Sequence, residues 1–372
     1  MTDTRELTDG SASHPFETLK RDEPGTESAR GTANENEDPE PSHRSHKIRH
    51  LVLSGGGGTG FAYYGALRES HKDGFWNIDE IQTMHGISCG SVFVFIMAML
   101  KHISWEDYDD YCIKRPWETV FGFSPEKLLN AYSNVGVCGR ETVEMIVAPV
   151  LSAADLPLNT TMQQFFDFTG IEVHYYATNL DTYSLVDISY KTHPDWELVD
   201  AMYSSCALPV LFRPNRVNGE VYVDGGFLCN YPLQQCINLA DTNPDEIFGL
   251  NKIRLPEQLP TDASNIGFEP TQEKKYDKGQ DKQYNNIIEY LLDIIAKTAK
   301  KLVLEKTTSK YTMEIADKVT SAWEVYEAVK TRESRAAKIQ YGADSWNQYK
   351  LKIGFRSSLS VAKGFDVMDP LV

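Results

Sequence analysis

No stretch of this chain is apolar for long enough to cross a bilayer. The longest run, Val92 to Leu100, covers nine residues, where a spanning helix takes about 20. The N-terminus has no apolar signal core either, so the chain is expected to be soluble, with any membrane contact peripheral. Positive charge is in short supply: 37 Lys and Arg face 53 Asp and Glu, for a net charge of −16. Such a field argues against nucleic acid as the main partner, because binding a phosphate backbone takes a cationic surface. The six cysteines (Cys89, Cys112, Cys138, Cys206, Cys229 and Cys236) show neither zinc-type pairing nor the density of a disulfide framework. They read as reduced thiols of an intracellular, cytoplasmic protein, and no metal site is expected. Histidine stops at His193.

Hydrophobic residues make up 41% of the 372, enough for a sizeable core in one large α/β domain or two small ones. Residues 1–46 are rich in Ser, Thr, Glu, Asp, Asn, Pro and Gly and nearly free of large apolar side chains. They read as a disordered acidic tail, a solubilising leader or a regulatory segment. Residues 47–254 read as the folded core of the chain. Region 255–285, polar and rich in Pro, Lys and Asp, reads as a flexible loop or lid. Residues 286–372 are expected to be a helical region packed on the core. In it, Asn286 to Lys306 carries an apolar stripe (Ile287, Leu291, Ile294, Ile295, Leu302) and lysines at 297, 300, 301 and 306. The stripe suits core packing, and the lysines leave membrane-surface binding open. Ala322 to Tyr341 reads as a further helix ended by Gly342.

The core is organised around Gly86-Ile-Ser88-Cys-Gly90, a G-x-S-x-G pattern that puts a serine on a sharp strand-to-helix turn. Ile81 to Met84 reads as the strand and Ser91 to Leu100 as a buried helix. Glycines on either side remove side chains that would clash at the bend. Upstream, Ile48 to Ser54 reads as a strand entering Gly55-Gly-Gly-Gly-Thr-Gly60, with a helix from Phe61 to Lys72. Gly55, Gly57 and Gly60 fit a dinucleotide fingerprint, with Asp79 or Glu80 at a spacing suited to a ribose hydroxyl. The loop's unpaired amides fit an oxyanion hole equally well. The elbow favours the second use. Two consecutive βα units turn the Gly56, Gly57 and Gly58 amides toward the space above Ser88, where a dinucleotide enzyme has no use for a strained serine.

A serine hydroxyl needs a base. No histidine follows in the late-chain position of an α/β-hydrolase triad. His85 is expected to pack away from Ser88 on its strand, and His174 and His193 remain open in principle. Further on, Glu172 to Leu180 and Tyr183 to Ser189 read as strands, Leu198 to Ser205 as a short helix, and Glu246 to Asn251 as a last core strand. Asp224 is the better base. It ends the strand Val217 to Val223 and is followed by Gly225 and Gly226, which let the chain turn and leave the carboxylate uncrowded. In an open parallel sheet that end lies on the same edge as Ser88.

The glycine loop, the serine elbow and Asp224-Gly-Gly226, with Ser205-x-Ala207-x-Pro209-x-x-Phe212-x-Pro214 before the last, together resemble the patatin-like phospholipases over about residues 48 to 240. The resemblance implies a three-layer α/β/α fold with a mainly parallel central sheet. It also implies a Ser–Asp dyad and calcium-independent hydrolysis of phospholipid or other lipid acyl esters, with no cofactor. By position, Ser88 is the nucleophile, Asp224 the base, and Gly56, Gly57 and Gly58 the oxyanion donors. The family's loop often carries Arg or Lys where this chain has Thr59, and residues past about 255 match no part of the pattern. Two other readings stay open: a dinucleotide-binding oxidoreductase resting on the glycine spacing, and a non-catalytic lipid-binding protein of the same fold.

Overall fold

The computed structural model describes residues 47–121, 135–239, 242–254, 309–317, 327 and 329–357. The expected tail (1–46), lid (255–285) and amphipathic helix (Asn286 to Lys306) lie outside the described residues.

The chain enters the sheet at β1 (His50–Leu53), a short strand buried along its whole length between parallel neighbours on both edges. That position explains its nearly continuous apolar reading. The sheet order is β10 (Tyr311–Asp317), β9 (Ile247–Arg254), β1, β2 (Thr83–Gly86), β4 (Glu172–Asn179), β8 (Glu220–Asp224), β7 (Asn215–Val217), with β5 (Ser184–Ile188) also on β4. From β10 through β4 every pairing is parallel. Strands β5, β8 and β7 are antiparallel to their partners. Strands β3 (Gly136–Cys138) and β6 (Val210–Phe212) pair separately.

The larger core joins one face of the sheet to helices α1 (Gly60–Lys72), α2 (Cys89–Ala98), α3 (Trp105–Lys114), α4 (Trp117–Phe121), α5 (Arg140–Ala153), α6 (Met162–Thr169), α7 (Leu198–Cys206) and, from the C-terminal part, α9 (Arg332–Lys352). Leu51 and Leu53 face this side, and α2 is apolar almost all round because it is buried almost all round. Val52 points the other way. It packs with Ile247 and with Leu233 and Cys236 of the short α8 (Leu233–Ile237). The result is three unequal α/β/α layers with a mainly parallel sheet, as expected. Among the described residues no helix is long and apolar enough to cross a membrane.

Two features depart from the sequence reading. Glu246 to Asn251 was expected to form the last core strand, but β10 adds to the sheet beyond β9, so the C-terminal part contributes a strand as well as helix. Gly342 lies within α9 instead of ending it. Its function is close approach: a Cβ there would collide with the carbonyl oxygen of Ala62 on α1, and one on Gly65 would collide with that of Ile339 on α9. A glycine that admits a neighbouring backbone and one that stops a helix look alike in sequence. Gly342→Ala is expected to cost about 2 kcal/mol through forced separation of α1 and α9, measured by urea denaturation.

Candidate active site

Gly86 closes β2 and Ser88 follows in a left-handed conformation, φ 55° and ψ −127°, unusual for a residue with a side chain. The bend leaves no room beside it. A Cβ on Gly86 would lie 2.6 Å from Gly90 O, and one on Gly90 would lie 2.5 Å from Leu53 O. The end of α7 holds the strained turn. Ser88 N–H donates to Ser205 O (3.1 Å) and Ser205 Oγ (3.2 Å), and Cys206 Sγ lies 3.0 Å from Ser88 O. Ser205 Oγ donates its one proton to Tyr176 O at 2.8 Å. The 2.7 Å contact with Ser91 Oγ is therefore a bond that Ser91 donates.

Asp224 reaches the same place from the opposite direction. The expected parallel edge is corrected here: β8 runs antiparallel to β4, with Asp224 opposite Ala177. Strand β4 pairs with β2 through residues 172–175, with β5 through 175–179 and with β8 through 177–179. Because β5 overlaps both of the others along β4, β2 and β8 must share β4's other edge. They meet there end to end. Gly86 is opposite Tyr175, so Ser88 comes level with Ala177 and Asp224.

The Asp224 carboxylate is 2% exposed and accepts Gly226 N–H at 2.7 Å. Burial raises its pKa to about 6, against the opposing pull of the Ser88 hydroxyl and the Gly226 N–H. Its tight hydrogen bond is the one from Gly226. The Ser88 hydroxyl also acts on this carboxylate and favours its charged form. A Cβ on Gly225 would strike Tyr176 O, so the turn after the aspartate needs glycine.

The glycine loop passes directly over the serine: a Cβ on Gly55 would lie 3.3 Å from Ser88 Cβ. Gly57, at φ 57°, opens a single 3-10 turn (Gly57–Thr59) that runs into α1. The first N–H groups of such a turn have no partner within it, which leaves Gly57 and Gly58 as donors. The amides of Gly56 and Gly60 act on the Cys89 thiol, which burial pushes up to about 12 and so keeps protonated and inert. A Cβ on Gly60 would strike the ring of Phe93.

A buried carboxylate, a strained serine and a glycine loop thus converge, and the comparison with known families agrees in extent. The family model of the patatin-like phospholipases matches residues 51–237, half of the chain and all three motifs. The chain belongs to the patatin-like phospholipase family. A probable lipid hydrolase of Invertebrate iridescent virus 6 is 25% identical to this patatin-like chain over 189 residues, 50% of this chain and 62% of that protein. An uncharacterized protein of Acanthamoeba polyphaga mimivirus is 26% identical over 216 residues, 58% of this chain and 69% of that one. Among solved structures, VipD from Legionella pneumophila matches with a TM-score of 0.42 at 14% identity, over 81% of this chain and 66% of that one.

Within this patatin-like site the histidines stand apart. His85 bonds Thr83 Oγ1 (3.0 Å) and Tyr176 OH (2.8 Å) and stacks on His174 at 4.4 Å, and burial holds its pKa well below the usual value. His174 contacts Asp187 (2.9 Å) and Glu172 (3.1 Å), which together outweigh burial and raise its pKa. His193 bonds Thr192 and faces Trp196. Among the described residues no histidine hydrogen-bonds Ser88. Asp79 and Glu80 form a turn before β2, ion-paired to Lys101 and Lys47. That is the opposite end of β2 from the glycine loop, where neither can meet a ribose held by Gly55–Gly60.

One further residue was missed in the sequence. Asn230 joins the loop to the Asp224 turn: its carbonyl accepts Gly55 N–H at 2.9 Å and its Nδ2 donates to Gly55 O at 3.2 Å. It lies six residues past Asp224, with no pattern to mark it. Thr59, where a cation was the alternative, is fully buried and donates to Asp317 Oδ2 (2.7 Å) on β10, which also pairs with Lys338 at 3.0 Å.

Proposed function

We propose that this chain hydrolyses lipid acyl esters through a Ser88–Asp224 dyad. Asp224 takes the Ser88 proton as the oxygen attacks the acyl carbonyl, and the Gly57 and Gly58 amides receive the oxyanion. The amide of Cys89, first in α2 and without an intrahelical acceptor, is a third donor in the position nucleophile elbows use. As the tetrahedral intermediate collapses, Asp224 returns the proton to the leaving alcohol, and an acyl group remains on Ser88. Water then attacks this ester, gives its proton to Asp224 and releases the fatty acid, while the proton passes back to Ser88. The steps call for no calcium ion, and the substrate is a phospholipid or another lipid ester met at a membrane surface.

The observation that carries this reading is the end-to-end meeting of a left-handed serine with a buried carboxylate whose pKa is about 6. A structural aspartate would gain nothing from that burial, whereas a base is made stronger by it. The family and its viral lipid-hydrolase relative support the substrate class. A fluorophosphonate probe is expected to form an adduct on Ser88 of the full chain, located by peptide mass spectrometry and absent in Ser88→Ala. No adduct on the wild-type protein would reject the nucleophile. A panel of phospholipids and neutral glycerides would then identify the preferred ester.

A further inference from the structure

Lys252 stands on β9, beside β1, and its side chain crosses to the glycine loop. Its backbone N–H is held by Ser54 Oγ at 2.8 Å, and its ammonium donates to Gly56 O at 3.3 Å. Between these anchors its methylenes lie over Gly56, where a Cβ would come within 2.9 Å of Lys252 Cδ. Thr59 N–H donates to the same carbonyl at 3.2 Å, so the Gly56 oxygen has two donors.

Gly56 C=O and Gly57 N–H are opposite ends of one planar, trans peptide. Whatever fixes the direction of the oxygen also fixes the direction of the N–H. A cationic donor on the oxygen draws density away from the nitrogen and makes the N–H a stronger donor. The cation's field reaches the hole itself: after burial, Lys252 is the largest influence on the neighbouring Cys89 thiol, and it acts to favour negative charge there.

We propose that Lys252 is a positioning residue of the oxyanion hole, orienting and polarising the Gly56–Gly57 peptide so that Gly57 N–H meets the developing oxyanion. The charge acts from a neighbouring strand, through one peptide, without touching substrate. The role of the oxyanion rests on the hydrolase reading, whereas the coupling of Lys252 to the Gly57 amide does not.

The test uses the full chain, wild type and with Lys252→Met, Lys252→Arg or Ser88→Ala, on a water-soluble p-nitrophenyl ester. Amide signals are recorded in parallel on protein labelled with 15N-glycine. Lys252→Met is expected to lower kcat about tenfold, less than the loss of a whole oxyanion donor, with KM within about twofold. Its Gly57 amide proton is expected to move upfield, and Lys252→Arg to restore both. Unchanged kcat, or a loss confined to KM, would overturn the proposal, because a mere staple of the loop predicts no such split. If the wild-type protein turns over no faster than Ser88→Ala, the hydrolase reading falls. The Gly57 signal then decides the coupling alone, and an unmoved signal in Lys252→Met overturns it.

Discussion

Asp224→Asn is expected to cut ester turnover about a thousandfold, the scale of a lost general base, while raising the protein's stability at neutral pH. The two effects share one cause. An unfolded aspartate titrates near 3.9, whereas buried Asp224 titrates at about 6. Between those values the native protein holds a proton that the unfolded chain has released. Stability therefore falls as pH rises from about 4 to about 6 and stays at the lower level above that range. Two pKa units correspond to about 3 kcal/mol, so Asn, which carries no charge and still accepts the Gly226 N–H, should gain up to that amount at pH 7 and almost nothing at pH 4. Activity of the wild-type protein runs the other way. It requires the ionised carboxylate, so kcat/KM should fall about tenfold for each unit below pH 6. Calorimetry at pH 4 and pH 7 checks the first effect and a pH–rate profile the second. A Tm for Asp224→Asn that is unchanged or lower at pH 7 would mean that burial of the charge is compensated, and would remove the reason for its basicity.

Arg335→Met is expected to cost about 4 kcal/mol of stability by leaving buried carbonyls without donors. Arg335 lies on α9 and is 1% exposed, and its guanidinium donates to the carbonyls of Cys112 (3.0 Å), Ile113 (2.6 Å), Arg115 (2.8 Å) and Val329 (2.7 Å). Cys112 and Ile113 lie in the last turn of α3, whose carbonyls have no donor within the helix and carry its negative dipole end. One cation from the C-terminal part thus closes a helix more than two hundred residues earlier. Methionine keeps much of the volume and removes every donor, so the loss reports hydrogen bonding and charge more than packing. Guanidinium denaturation should show the shift, and calorimetry a fall in Tm of about 5 °C for a chain of this size. Lys at 335 should recover only part, since one ammonium cannot serve four carbonyls in the guanidinium's fork geometry. A loss below about 1 kcal/mol would show that water or a shifted backbone satisfies those carbonyls.

The glycine loop and the elbow were readable because their requirements are local. A strand, a run of glycines and a helix follow one another within residues 48–72, and the glycines flanking Ser88 answer to collisions with atoms a few residues away or on the adjacent strand. Asp224 was readable as a strand end followed by two glycines, but its strand direction was not: alternation and turn residues are the same for parallel and antiparallel pairing. His85, His174 and Thr83 form a polar, hydrogen-bonded layer on one face of the sheet, and isolated histidines in a sequence say nothing of such stacking. Asn230 and Lys252 carry no motif. Each matters only because a distant backbone atom of the glycine loop comes within reach.

Short-range pattern was thus enough for the layered α/β class, the family and the two glycine-lined turns, and it singled out the hydroxyl and the carboxylate proposed as the dyad. These follow from steric rules and hydrophobic periodicity, which act over a few residues. The end-to-end meeting of β2 and β8 along one edge of β4, the strand and helix added from beyond residue 309, and the reach of Lys252 to Gly56 and of Arg335 to α3 were settled by packing. Those contacts join residues dozens to hundreds of positions apart, and a chain records such proximity only once its core has closed.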